Sequence, residues 1–522
     1  MLEITKKRLK NKDEMISSLQ NDVIKKDKRI SEQSTAIMRL QEQLKLALDR
    51  QFGKKSEKRP VDDPQAMLFD EADLPVDQKE IDEEEETITI PSHERKSKKG
   101  RKPLPENLPR IRKEYDLSAE EKVCDCGCEM RCIGETTSEQ LDYIPARIQV
   151  IVHARKKYAC KACESCMKEA AMPALPIPKS IATANLLSQV CISKFEDYLP
   201  LYRQERIFQR VGVDIPRATL ANWVIKCADL LKPLYRLLHD RIVEGDVASA
   251  DETRVQVLNE PNREAHKKSY MWCFSGGPPK EIAYLYKYSI ERSSDIPFIF
   301  LEDFEGYLHA DGYAGYDALV KKALAQNNKN ISLVGCWYHV RRKFIEAEKV
   351  SEKEGLATEA IRMIRKLAKI EDKIKHLKPE GIKNARRKQA KPVILKFKAW
   401  LDKNIIHVPP QSILGKAMGY ALNQWAKLLR YLEDGRLHIS NNHTERAIKP
   451  FVIGRKNWIF CSSVKGAEAA AIIYSLIETC KAHKINASDY LAYAFENLPT
   501  ADTLEKLELL LPFNVDPARI IR

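Results

Sequence analysis

The sequence predicts a multidomain chain built around one α/β domain, and three features of its 522 residues carry that expectation. The first fifty positions repeat every seven residues, cysteines cluster between 124 and 166, and from about 244 three strand-like runs give way to alternating helix and strand patterns. A chain of this length exceeds what one hydrophobic core organises, so two to four domains are expected.

The formal charge of +14 points to a polyanionic partner, of which nucleic acid is the commonest. No apolar run approaches the ~20 residues that cross a bilayer, and the charged N-terminus lacks a signal-peptide core. A soluble, unexported, cytoplasmic protein with no membrane partner is therefore expected. Thirteen cysteines, an odd number, fit a reducing compartment better than a disulfide framework.

Residues 1–50 carry Leu2, Leu9, Ile16, Val23, Ile30, Ile37 and Leu44 at every seventh position, with Leu19, Leu40 and Ala47 at d. This is a coiled-coil zipper, and β-branched a positions with leucine at d favour a parallel dimer, although Thr5, Lys12, Lys26 and Gln33 weaken the d seam. Residues 51–104 alternate acidic and basic runs without periodicity and are expected to be a flexible charged linker. Its "GRKP" has the composition of a minor-groove arm, although a plain basic linker is the simpler expectation.

Residues 105–180 hold seven cysteines, in "CDCGC" at 124–128, Cys132, and "CKACESC" at 160–166. Two short cysteine turns separated by strand-like sequence resemble a zinc ribbon, in which four thiolates fix one structural Zn²⁺. Cys160 and Cys163 form the second pair; Cys124, Cys126 and Cys128 compete for the two places in the first. From 181 to 243 the pattern is helical, and "YRQERIFQRVGVDIPRATLANWVIKCADLL" is expected to be helix, turn at Gly212 to Ile215, and helix opening on Pro216. Leu220, Trp223, Val224, Cys227 and Leu230 should face inward. That leaves Arg217, Thr219 and Asn222 where a recognition helix meets base edges.

"VASADETRVQVL", "KSYMWCFSGG" and "EIAYLYKY" are strand-like, and "SSDIPFIFLEDF", "GYLHADGY", "YDALVKKALAQ", "ISLVGCWY" and "HVRRKFIEAEKV" alternate helix and strand. That order is the ribonuclease H-like arrangement, in which the middle of the first strand and the end of the fourth lie side by side. Asp251 occupies the one and Asp311 the other, and a third carboxylate, Glu445, arrives on a later helix. Three carboxylates suit a pair of hard cations, two Mg²⁺ with Mn²⁺ as a substitute, and the chemistry they serve is phosphoryl transfer on a nucleic-acid backbone. Arg446, Lys449, Arg455 and Lys456 follow Glu445 and would neutralise the flanking phosphates. The catalytic domain is thus expected in two parts, 244–349 and 436–484. Between them 350–435, rich in helix formers and bases, is an all-helical insertion, and 485–522 is a C-terminal tail.

The motifs "RQFGKKSEK", "GRKPLPENLPR", "SEQLDYIPARIQVIVHARKKYAC", "ADET", "ADGYAGY", "GCWYHVRRKF", "NNHTERAIKPFVIGRKNW" and "AAAIIYSLIETCKAH" together resemble a DDE transposase of the bacterial insertion sequence 66 family. The resemblance spans nearly the whole chain. It implies that Asp251, Asp311 and Glu445 are the catalytic carboxylates, that the cysteine segment binds zinc, and that the protein is bacterial and acts at the nucleoid. It also implies double-stranded DNA as substrate, both element ends and target, a homodimer or higher oligomer, and accessory proteins encoded by the same element. "CWYH" places Cys336 and His339 in a C-x-x-H signature shared with other such enzymes, which makes His339 a further catalytic candidate and the nearby Arg342 a DNA-binding one. Where the family commonly has aspartate, this chain has Ser440, a suitable N-cap for the helix carrying Glu445. The alternative is a non-catalytic DNA-binding regulator or scaffold derived from such an enzyme.

Overall fold

The computed structural model describes residues 148–159, 167–327, 329–350 and 355–520, with isolated helical positions at Lys26, Gln33 and Leu40. The rest of the expected zipper, the linker, and the zinc candidates Cys124, Cys126, Cys128, Cys160 and Cys163 lie outside the described residues. The chain divides into two compact units, 74–170 and the remainder.

In the smaller unit, β1 (Lys157–Ala159) and β2 (Met167–Glu169) pair antiparallel, with Tyr158 opposite Lys168. The Ala170 N–H continues the ladder to the Lys156 carbonyl at 3.2 Å. This hairpin flanks the segment in which the second cysteine pair was expected.

The larger unit begins with α1 (Ala184–Phe195), α2 (Leu201–Arg210) and α3 (Arg217–Glu244). Thr183 caps α1 by accepting the Leu186 N–H at 3.3 Å. The turn between α2 and α3 passes through Gly212 at φ 82°, where a β-carbon would be strained, and Pro216 opens α3. Leu220, Trp223, Val224 and Cys227 are buried as expected, but Ala228 and Leu231 continue the inward face, with Leu230 only partly covered. The reason is that α3 does not stop there. It continues past Pro233 to Glu244, and Leu231, Leu238 and Ile242 enter the same core as the sheet residues Leu285 and Phe274.

That sheet is mixed. β3 (Val247–Asn259), β4 (Lys268–Gly276) and β5 (Ala283–Ser289) form an antiparallel meander, and β6 (Gly306–His309) and β7 (Ile331–Val334) add in parallel on the other side of β3, in the order β5-β4-β3-β6-β7. The outer half of β3 pairs with a short β8 (Cys461–Ser463). Gly306, at φ 139°, starts β6 so close to the entry of β3 that a β-carbon would lie 2.2 Å from the Asp246 carbonyl oxygen. Between the strands run α4 (Asp295–Phe300) and α5 (Ala314–Asn327), and α6 (Trp337–Val350) follows β7.

The insertion comprises α7 (Leu356–Ile374), α8 (Pro379–Ala385), a π turn (Arg386–Ala390), α9 (Lys391–Ile405), α10 (Ile413–Asn423) and α11 (Trp425–Leu429). It builds a second core, in which Phe397, Leu428 and Tyr431 close over Trp337 and Phe344 of α6. The chain then returns to the sheet as α12 (Asn442–Trp458) and α13 (Val464–Ala482). Helix α13 is buried on all sides, and its run of alanines allows close approach to β5 and α3. The stretch expected as a C-terminal tail is folded: α14 (Ala487–Asn497), α15 (Leu504–Glu508) and α16 (Pro517–Ile520) follow one another, and Leu491, Phe495 and, just past α15, Leu511 enter the sheet's core. Tyr490, Leu491, Ala494 and Phe495 recur at helical spacing, and α1 supplies the surface they cover.

Candidate active site

Parallel pairing of β3 with β6 sets the first two acids. Ser249 of β3 stands opposite His309 of β6, and Asp251 and Asp311 each lie two residues further along their own chains. Asp251 is still within β3, opposite Cys273. Asp311 lies just past the end of β6, in the loop. Each is held by a local bond: Asp251 Oδ1 accepts the Glu252 N–H at 2.9 Å, and Asp311 Oδ1 accepts the Tyr313 N–H at 2.9 Å. Gly312 keeps that loop against the insertion, since a β-carbon there would come within 2.6 Å of the Tyr420 ring.

Glu445 sits in the first turn of α12, where the helix dipole favours a carboxylate. The expected cap, Ser440, is not the cap. The helix begins one residue later at Asn441, whose side chain makes no capping bond. Instead Asn441 is buried and joins three elements. Its Nδ2 donates to the Ala250 carbonyl at 3.1 Å, and its backbone N–H donates to Cys336 Sγ at 3.4 Å. Thr444 and Ser275 share a hydroxyl bond at 3.1 Å, and the Tyr286 hydroxyl donates to the Ala447 carbonyl. The start of α12 is therefore stapled to β3 beside Asp251.

Burial pushes the Asp251 carboxyl well above the usual carboxylate range, and the charges of Glu252, Glu445 and Asp311 push it the same way against its own backbone bond. Three acids that feel one another in a poorly solvated pocket are short of positive charge. Arg292 supplies some of it. Its guanidinium pairs with Glu252 (Nε to Oε1 at 2.6 Å), stands 4.0 Å from Asp311 Oδ2, and stacks on the Tyr313 ring with 4.0 Å to the centroid. Tyr316 donates its hydroxyl to the other Glu252 oxygen at 3.0 Å. Burial also raises the Glu252 carboxyl, with Arg292 opposing.

Helix α6 forms the opposite wall. His339 Nε2 is 3.7 Å from Glu445 Oε1, and Arg342 Nη2 is 3.4 Å from Oε2. Burial, followed by the neighbouring Arg342 and Lys343 charges, lowers the His339 pKa, with Glu445 and Asp311 pulling the other way. Glu445 Oε1 and His339 Nδ1 are both buried without a hydrogen-bond partner. Burial pushes the Cys336 thiol up to about 11.

The cationic candidates divide. Arg446 and Lys456 are exposed on α12 and Lys449 is half-buried. Arg455, by contrast, turns back to Thr253 of β3 (Nη1 to Oγ1 at 3.2 Å), and burial lowers its pKa. Arg217 and Asn222 are exposed near the start of α3 and Thr219 is half-buried. The Arg217 N–H there is already taken by Glu205 Oε1 of α2 at 2.9 Å, so a carboxylate caps this helix. Sequence reasoning missed Glu252, Arg292 and Asn441. The acid doublet in "ADET" and the asparagine doublet in "NNHTE" were signals, but Arg292 lies in a loop with no pattern to mark it.

Family comparison agrees with the motifs. The model described as transposase IS66 family matches residues 179–469. The chain belongs to the IS66 transposase family. Three more models of that family match in order: transposase C of IS166 homeodomain at 39–112, the zinc-finger binding domain of transposase IS66 at 121–164, and the IS66 C-terminal element at 475–513. The first of these covers the whole stretch expected as a linker, and the last covers most of the folded C-terminal helices. Relatives include the uncharacterized protein y4jD of Sinorhizobium fredii, 34% identical over 79% of this chain and 81% of its own length. The uncharacterized protein y4qI of the same organism is 32% identical over 80% and 79%. Among the described residues, no helix is long and apolar enough to cross a membrane.

Proposed function

We propose that this IS66 family member is a DDE transposase that binds the terminal inverted repeats of its element and cuts and joins DNA strands, with Asp251, Asp311 and Glu445 as the metal-holding carboxylates of a ribonuclease H-like domain. The observation that carries this is the convergence of three acids from separate elements, two held by their own local bonds and the third on a helix whose start is bonded to β3, with Asp251 feeling the charge of both partners. The strand order, three antiparallel strands followed by two parallel ones, supports the fold reading.

The donor set fits magnesium or manganese: every candidate ligand is a carboxylate oxygen, and the buried Glu445 Oε1 has no other partner. When bound, a pair of such ions activates the attacking oxygen and stabilises the leaving one. The chain's own residues do the rest. Asn441 holds the start of α12 on β3, so Glu445 faces Asp251. Glu252 and Tyr316 hold Arg292 beside Asp311, ready to meet a phosphate oxygen, and Arg446 and Lys456 lie on the helix that would follow the DNA backbone. His339 supports Glu445 from α6. The match to the zinc-finger model supports structural zinc on the cysteine segment, and the heptad supports pairing of two copies.

Substituting Asp251→Asn, Asp311→Asn or Glu445→Gln removes one metal-holding charge, worth several kcal/mol of stabilisation in the transition state. Cleavage of oligonucleotides carrying the element's ends should fall by on the order of 10³-fold or more, while end binding in a gel-shift assay persists because phosphate contacts remain. Robust Mg²⁺-dependent cleavage by any of the three variants would rule the assignment out.

A further inference from the structure

We propose that Cys336, His339 and Glu445 form a site for a thiophilic divalent cation of the zinc class, on the α6 side of the pocket, and that its occupation withdraws Glu445 from Asp251 and Asp311. The three side chains present donor atoms that all lie within 4.8 Å of one another. They come from rigid positions: Cys336 is 3% exposed in the turn between β7 and α6, His339 is in the first turn of α6, and Glu445 is in the first turn of α12.

The Glu445 carboxylate turns an unpartnered oxygen toward His339. Glu445 Oε1 is buried without a partner, although a histidine nitrogen stands 3.7 Å away. That distance is too long for a hydrogen bond. It is slightly longer than the roughly 3.3–3.6 Å that two ligands, each roughly 2.0–2.2 Å from a shared zinc ion, keep across a tetrahedral angle, so a small side-chain adjustment brings both onto one ion. Arg342 engages only the other oxygen, Oε2, so its charge leaves Oε1 available. Lys343 is the second cation on this wall, and its ammonium lies over the Tyr420 ring, 4.6 Å from the centroid.

Donor chemistry selects the ion. A thiolate, an imidazole and one carboxylate suit Zn²⁺, Co²⁺ or Cd²⁺, whereas Mg²⁺ prefers an all-oxygen set. Three protein ligands leave a fourth position for water, and binding releases the Cys336 thiol proton. The consequence for catalysis rests on the proposed role of Glu445, but the binding does not.

The test is a Co²⁺ titration of the full chain as purified, with whatever zinc its cysteine segment carries, compared with Cys336→Ser and His339→Ala. The wild type should bind one more equivalent than either variant, and the extra equivalent should carry thiolate-to-cobalt charge-transfer absorption absent in Cys336→Ser. Circular dichroism checks that the variants are folded; if Cys336→Ser is not, the half-exposed position in His339→Ala decides on stoichiometry. Equal stoichiometry and equal charge-transfer absorption in wild type and folded variants would overturn the site. Asp251→Asn should keep the extra equivalent although it cuts no DNA. If Asp251→Asn does cut DNA, the proposed function falls while the cobalt result still stands on its own.

Discussion

His309 ends β6 with 1% of its surface exposed, and its Nε2 accepts the His438 backbone N–H at 3.2 Å. An acceptor nitrogen must be unprotonated, and burial, with the His443 and Arg386 charges adding to it, pushes the His309 pKa down to about 3. Unfolded histidine titrates near 6.5, so below that pH the unfolded chain binds a proton that the folded chain refuses. Stability therefore falls as pH drops through the window from about 6.5 toward 3, by about 1.4 kcal/mol per unit from this residue. In metal-free buffer, chemical denaturation of wild type and His309→Gln between pH 7 and 5 should show the wild type losing stability more steeply. Parallel pH dependences would disprove it. The histidine itself was visible in "GYLHADGY", yet its role was not, because the N–H that claims it comes from the loop before α12.

Helix formers and bases made the insertion legible as helices, but not its work as a wall of the site. Trp337 donates to the Leu428 carbonyl at 3.1 Å and Gly335 to the Lys427 carbonyl at 3.0 Å, so α11 grips the turn that carries Cys336 and His339. One buried guanidinium closes the arrangement. Arg386, in the π turn, pairs with Glu371 of α7 (Nη2 to Oε2 at 2.6 Å) and donates from Nη1 to the Tyr431 and Asp434 carbonyls at 2.9 and 3.0 Å. It thus ties two insertion helices to the chain leading into α12. Arg386→Met leaves Glu371 and two carbonyls without their donor, and should cost about 3–5 kcal/mol. Removing both charges, Arg386→Met with Glu371→Leu, should recover much of that. Denaturation, with hydrogen exchange across 356–432, measures both variants. A single variant as stable as wild type would mean that the ion pair contributes nothing net.

Cutting two element ends in one complex needs at least two catalytic domains, and the heptad from Leu2 to Leu44 offers the link. Lys26, Gln33 and Leu40, all heptad d positions, are helical, with Leu40 58% exposed. If the zipper pairs two copies, replacing Ile16, Val23, Ile30 and Ile37 with lysine sets like charges across their seam and should keep the pair from forming. Light scattering should then report a single copy, and paired-end complexes should be lost while single-end binding remains. An unchanged mass with normal pairing of two ends would place dimerisation elsewhere, in the insertion or the C-terminal helices.

Family and order of elements followed from sequence alone, because ordered motifs and a period of two or of 3.6 are local properties, and the same reading proposed Asp251, Asp311 and Glu445 as one group. Which groups face those acids was decided only by tertiary structure. Glu252 and Arg292 are forty positions apart in the chain and meet because a strand pairing and a loop bring them together. Helix α12 starts after Asn441 rather than Ser440, and Asn441 is held there by Ala250 and Cys336, far away in sequence, which accept from its side-chain and backbone N–H groups respectively. The helical pattern read to 243 ends in α3 as expected, but that its apolar face packs on β5 and α13 was visible only in the fold. Packing between distant segments leaves no local period behind, so no pattern in the chain could announce it.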